Sequence, residues 1–272
     1  MTNTFKVRAS SWATLFDCSH RFEGVHILGL RMPSGPRAHL GRAIHHATAL
    51  YDQGRIEGET ISVAEACEQA AEFINHPDEE VNWQIDDIGP MDATTTAVKL
   101  VAKYCQEISP RYSFRSVEME TKPLDIDCGG GIIVTLTGTL DRSRLVDTGE
   151  GLGISDLKSG ANAVQKGRAK TSGHAAQLGT YELLYEHSTG EAITAPAEII
   201  GLKTKGTPEV ATGLVHGAKA MMVGTEESPG LIQYAATMFR SGLFPPNPSS
   251  MMCSSKYCAR WASCKFKDEA KE

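Results

Sequence analysis

Helical periodicity dominates the first third of the chain and two-residue alternation its middle. "RAHLGRAIHHATALYDQG", residues 37–54, spaces its apolar positions at helical intervals and predicts a helix stopped at Gly54. In "SVAEACEQAAEFIN", Ser62 and Glu65 have the spacing of a capping box and predict a second helix. "MDATTTAVKLVAKYCQEI" predicts a third, ended near Pro110. From Tyr112 the period changes: "YSFRSVEMETKPL", "GIIVTLTGTLDRSRLV" and "GLGISDLKS" read as three strands joined by Gly-rich turns. "GHAAQLGTYELLYEHSTG" returns to the helical period, and "AEIIGLKTK" and "EVATGLVHG" are strand-like. A last helix is expected from about Ala218 to Gly242, before "FPPNPSS" forces an extended segment. Several strands followed by a packed helix imply a mixed sheet in an α/β or α+β domain, with the early helices as an elaboration.

Composition narrows the picture. With 272 residues, 41% of them hydrophobic, the chain can build a sizeable core without covalent staples. No apolar run has the length of a membrane span, and "MTNTFKVRASSW" lacks the apolar region of a secretory signal, so a soluble cytoplasmic protein without membrane contact is expected. A formal charge of -6 argues against nucleic-acid binding through an overall positive field, so any phosphate contact must be local. Basic residues cluster as Lys166, Arg168 and Lys170, and again as Lys256, Arg260, Lys265 and Lys267, which solvated faces would also explain.

Candidate chemistry centres on "TLTGTLDRSRLVDTGEGLGISDLKSG", residues 135–160. Strand alternation places Asp156 and Lys158 on one face and Leu157 on the other. If the hairpin from Asp141 to Asp156 brings the strand ends together, both carboxylates and the Leu157 carbonyl can share one Mg²⁺ or Mn²⁺, ions that prefer oxygen. Lys158 then sits beside the ion, where its ammonium can orient water or offset charge on a phosphoryl transition state. Spacing alone equally admits an exposed ion pair on one strand and a turn at Asp141–Arg142. Glu118 and Glu120 share a strand face in "SVEME"; an exposed strand accounts for them as well, and they are not placed in the site.

"GTLDR", "DLKSG" and "QLGTY" together resemble the signature of RecB-family nucleases in the PD-(D/E)XK superfamily: a Gly-x-x-Asp strand, an Asp-x-Lys strand and a Gln-x-x-x-Tyr helix, in that order. "GRAIH", Gly41 to His45, is similar to the family's early Gly-x-x-x-His element. The resemblance implies a restriction-endonuclease-like α/β fold, a mixed central sheet flanked by helices. It implies His45, Asp141, Asp156 and Leu157 as metal ligands, and Asp141, Asp156, Lys158, Gln177 and Tyr181 as the catalytic set. His45 and His46 point about 100° apart on a helix, so only one can face the sheet. Gln177 and Tyr181, four apart, could contact Lys158 or the DNA backbone, or could be a helix-packing pair.

Seven cysteines without a signal peptide argue against a disulfide framework. Cys253, Cys258 and Cys264 are close together in "CSSKYCARWASC", and three thiolates need a fourth. An iron-sulfur branch of RecB-like nucleases, with CRISPR-associated and phage exonucleases among its members, has one Cys before the nuclease core and three after it. The resemblance therefore implies Cys18, Cys253, Cys258 and Cys264 around a 4Fe-4S cluster, with Zn²⁺ as the rival occupant. The four residues between Cys253 and Cys258, where the commonest family pattern has two, depart from the family. Cys67, Cys105 and Cys128 read as small buried residues.

The expected organisation is one compact unit: an N-terminal helical part with Cys18 and His45 (1–110), a nuclease core (111–217), and a C-terminal helix with the Cys cluster (218–272). The implied function is a Mg/Mn-dependent DNA exonuclease acting on single-stranded or free ends, with a homo-oligomer or a helicase or recombination partner as possible company. The alternatives are a non-catalytic DNA-end or assembly module of the same fold, and an endonuclease or DNA-fragment processing factor. Tyr257 and Trp261, among Lys256, Arg260 and Lys265, could stack on bases in a single-strand channel or pack around the Cys site.

Overall fold

The computed structural model of the chain describes residues 2–146 and 151–267. Strand β1 (Asn3–Arg8) leads into the short helices α1 (Trp12–Asp17) and α2 (Ser19–Phe22) and a π-helical turn at Glu23–Ile27. The helical layer follows: α3 (Pro36–Glu57), α4 (Val63–Asn75) and α5 (Pro90–Glu107). Next come β2 (Ser113–Glu120), β3 (Leu124–Asp127), β4 (Ile132–Thr137), β5 (Thr139–Leu145), β6 (Leu152–Gly160) and the small hairpin β7 (Val164–Gln165) and β8 (Arg168–Ala169). The chain continues with α6 (Ala175–Thr189), β9 (Ala197–Lys203), β10 (Glu209–Val215), α7 (Ala218–Val223) and α8 (Leu231–Ser241).

The central sheet has five strands in the order β10-β9-β6-β5-β2 and is mixed, since β6 and β9 run parallel while the other neighbours are antiparallel. One face buries Leu157, Ile200 and Leu202 against α3, α4 and α5. The other buries Ile154 and Ile199 against Leu178, Tyr181 and Tyr185 of α6. This is the α/β arrangement expected from the sequence, a mixed sheet between helical layers. A second, three-stranded sheet, β1-β4-β3, packs Val7, Val134 and Leu136 with Trp12, Ile232 and Phe239. No helix among the described residues is long and apolar enough to cross a membrane.

Several elements differ from the pattern read in the sequence. "GIIVTLTGTLDRSRLV" is two strands in two sheets, β4 and β5, parted at Gly138. A Cβ there would lie 2.9 Å from the Tyr181 ring, so the missing side chain lets the chain turn between sheets under that ring. The strand opened at Ser113 stops at Glu120, and "LDID" makes the separate β3. Helix α3 passes Gly54 and closes at Gly58, whose φ of +76 is the usual left-handed cap. The last helix is two, α7 and α8, separated by a turn in which Gly224 bridges to Pro229. The turn expected between Asp141 and Asp156 includes residues 147–150, which lie outside the described residues.

Apolar burial holds the helical layer to the sheet, and a buried polar network fixes its position. Arg142 and Asp52 are fully buried, with Arg142 Nε donating to Asp52 Oδ2 at 2.8 Å. The same carboxylate accepts the Tyr104 and Ser109 hydroxyls, and Arg142 Nη2 donates to Thr48 Oγ1 at 3.3 Å. Arg55 donates to the Ser109 carbonyl, closing the network between α3 and the end of α5. Asp52→Ala should cost about 3–5 kcal/mol, because it leaves a buried guanidinium without its counter-charge. Urea unfolding checks this, and a loss below about 1 kcal/mol would contradict the role assigned to the pair.

Candidate active site

The site forms where two neighbouring strands of the central sheet separate. The β5–β6 ladder runs from Leu145–Leu152 to Arg142–Ser155. Beyond it, the Leu157 N–H meets no strand partner on the β5 side; the Asp141 carboxylate accepts it, Oδ2 at 2.8 Å. A buried donor must be satisfied, and here an acidic side chain does what a continued ladder would have done. Asp141 and Asp156 therefore lie on either side of a fork.

Helix α3 supplies the third group. A Cβ on Gly41 would come within 2.9 Å of Ser159 Oγ, so this glycine allows α3 to lie on the end of β6. One turn later His45 Nδ1 is 3.5 Å from Asp141 Oδ2. Burial lowers the His45 pKa against the pull of Asp141, which favours a neutral ring with a lone pair to offer. His46 turns away and packs on Phe73, ring centroids 5.2 Å apart.

Glu118 completes the group, a residue the sequence reading left out. A register shift between Phe114 and Ser116 and a φ of +45 at Glu118 bend β2 at this point, opposite Asp141. That backbone region is rare for a residue with a Cβ and is tolerated where the surroundings demand it. One ligand atom each from His45, Glu118 and Asp141 lies within 4.8 Å of the others, the one such group among the described residues. Burial, then the Asp141 charge, pushes the Glu118 carboxyl up to about 7.

Asp156 lies beside this group. Its Oδ1 accepts Gln177 Nε2 at 3.2 Å, and Gln177 also donates to the Tyr181 hydroxyl at 3.1 Å. Its Oδ2 is buried without a regular hydrogen bond and touches the Lys158 ammonium. Burial raises the Asp156 pKa to about 7; Lys158 opposes the shift and Asp141 adds to it. A carboxylate oxygen with spare acceptor capacity, two further carboxylates and a neutral imidazole make a donor set that suits a divalent ion such as Mg²⁺ or Mn²⁺.

The four cysteines Cys18, Cys253, Cys258 and Cys264 line a single cavity some distance away along the chain. The Asn247 N–H donates to Cys18 Sγ at 3.4 Å, and burial together with Cys258, Cys18 and Cys264 pushes the Cys253 thiol up. Cys105 is buried, while Cys67 and Cys128 are half-buried. Two of the basic residues near the C-terminal cysteines are occupied within the molecule: Arg260 pairs with Glu23, and Lys256 with Asp86. Lys256 also lies 5.0 Å from the centre of the Tyr257 ring.

The chain belongs to the PD-(D/E)XK nuclease superfamily, whose family model matches residues 7–265. It is also similar in fold to the crystal structure of a Eubacterium rectale protein named "Putative exonuclease". The TM-score is 0.50 at 13% sequence identity, over 97% of this chain and 88% of that one. No curated protein matches the chain.

His45→Ala should weaken Mn²⁺ binding by about tenfold or more, whereas His46→Ala should leave it unchanged. Titration calorimetry measures both, and equal losses would contradict the orientation of α3. Because Glu118 and Asp156 hold their protons up to about pH 7, Mn²⁺ affinity should rise between about pH 6 and 8 as they ionise. Glu118→Gln should lower the affinity and flatten that rise.

Proposed function

We propose that the chain is a metal-dependent DNA exonuclease that hydrolyses phosphodiester bonds from single-stranded ends, with a 4Fe-4S cluster at its four cysteines. The convergence of His45, Glu118 and Asp141 beside the Asp156–Lys158 pair carries the catalytic part. A Mg²⁺ or Mn²⁺ ion held by His45, Asp141, Asp156 and the Leu157 carbonyl, with Glu118 adjoining, would polarise the phosphate and make water more acidic. The chain's own groups supply the remainder. Lys158, anchored on Asp156, places a positive charge where negative charge grows in the transition state. Gln177 holds Asp156 and the Tyr181 hydroxyl in fixed relation, so the carboxylate does not rotate out of register. The name given to the Eubacterium rectale protein supports the exonuclease reading over the endonuclease one.

End-labelled linear single- and double-stranded DNA and a closed circle, each with and without Mg²⁺ or Mn²⁺, form the test. Linear strands alone should be cut, and only with metal. Asp141→Ala, Asp156→Ala and Lys158→Ala should each lower kcat by at least about a thousandfold while the fold and DNA binding persist. Cleavage of the circle would favour an endonuclease. Undiminished activity in excess chelator, or in Asp141→Ala, would refute the metal reading.

The cysteine site is supported by geometry as well as by spacing. Cys18 and the three C-terminal cysteines, far apart in sequence, line one cavity, which supports a shared site for a metal group. Protein purified without oxygen should be brown and contain about four irons per chain, and alanine at Cys18, Cys253, Cys258 or Cys264 should remove them. Colourless protein with one zinc would overturn the iron assignment.

A further inference from the structure

We infer that the cleft lined by Lys6, Arg8 and Arg31 binds the phosphates of the nucleic-acid strand that crosses the active site, a reading that rests on the proposed function. The cleft is open, about 300 Å³, and lies where the two sheets part. Its floor is Thr137, Gly138 and Thr139 with Glu120 and Thr121. Thr139 and Glu120 are register partners on β5 and β2, two residues along from Asp141 and Glu118. That step is about 7 Å along a strand, so the cleft begins one short stride from the candidate metal site. Tyr181, whose hydroxyl accepts Gln177 in the site, lies over Gly138 and joins the two regions.

Its basic groups are arranged to act together. Lys6 and Arg8 alternate onto one side of β1, and both are exposed. Arg31 lines the same cleft, held in place by Nη1 donating to the Val25 and Leu30 carbonyls at 2.7 and 3.1 Å. Among the described residues none of the three is in an ion pair. The C-terminal Arg260 and Lys256, by contrast, are taken by Glu23 and Asp86. His26, also in the wall, registers the local field: burial first, then Arg31, Arg8 and Arg21, lower its pKa. Glu120 is the acid that lines the cleft. In a chain of net charge -6, such a concentration of unpaired cations beside a phosphodiesterase site has a polyanion as its complement.

The test is fluorescence anisotropy of a labelled twelve-nucleotide single strand in EDTA, titrated with protein at several salt concentrations. Lys6→Gln, Arg8→Gln and Arg31→Gln should each weaken binding about fivefold and reduce the slope of log affinity against log salt by about 0.7. Glu120→Gln, in the same cleft, should strengthen binding. Lys99→Gln, an exposed change on α5, should match the wild type. Matching thermal melts establish that the variants are folded, and Lys6→Arg, which keeps the charge, should restore affinity. Wild-type affinity and slope in the Lys6 and Arg8 variants would overturn the cleft, as would equal competition by oligoglutamate of the same charge. No cleavage occurs in EDTA, so a wild-type protein found inactive with metal would count against the proposed function and leave this measurement standing.

Discussion

The distance between α3 and β5 rests on one buried guanidinium. Arg142 donates to Asp52 Oδ2 and to Thr48 Oγ1 on the helix, and through Nη1 to the carbonyl of Asp141 on its own strand, at 2.8 Å. His45, Thr48 and Asp52 are spaced i, i+3, i+7, one stripe of the helix, so the clamp that seats Asp52 also sets where His45 meets Asp141. A fully buried pair of this kind gives little net stability over an apolar replacement. What it supplies is direction. Leucine contacts would tolerate a helix slid by an ångström, whereas a guanidinium with three bonded partners does not.

Around that clamp, the site is made from interruptions of regular structure. The β5–β6 ladder ends at Arg142–Ser155, and the Leu157 N–H left over becomes the anchor of the Asp141 carboxylate. The bend of β2 at Glu118 turns a second carboxylate toward the same space. The break at Gly138 sends the chain into another sheet and opens the cleft beneath Tyr181. Sheets bury their polar backbone by continuing; at a fork, unpaired groups and side chains share a cavity. That is why Asp141 and Asp156, one on each side of the fork, meet at the same place.

These features were unevenly legible in the sequence. Asp156 and Lys158 are neighbours by strand period alone, and the structure puts them in contact. The pattern around His45 and His46 limited the sheet-facing choice to one, and packing on Phe73 accounts for the other. The α/β layering followed from the change of period near Tyr112. Glu118 was not legible, because alternation treats it like Glu120 and only the positive φ separates their directions. Nor was the split at Gly138: an apolar alternation of Ile132, Val134, Leu136 and Leu140 spans it while the hydrogen-bond partner changes from β1 to β2. Asp52 gave no signal at all, since its meaning depends on Arg142, ninety residues later.

The charge balance of the site has its own consequence. Asp141, Asp156 and Glu118 crowd three carboxyls beside the Lys158 ammonium and the Arg142 guanidinium, and the pKa values near 7 at Asp156 and Glu118 express the work of burying and ionising them together. A divalent cation relieves that work and displaces protons as it binds, so cation affinity and carboxyl ionisation are linked. The same carboxylates repel a phosphodiester when ionised without a counter-charge. A DNA strand therefore gains most from the basic cleft once a cation has neutralised the acidic group beside it, which couples metal and strand affinities in one direction. By linkage the strand must then tighten the cation by the same factor, so the two sites act as one.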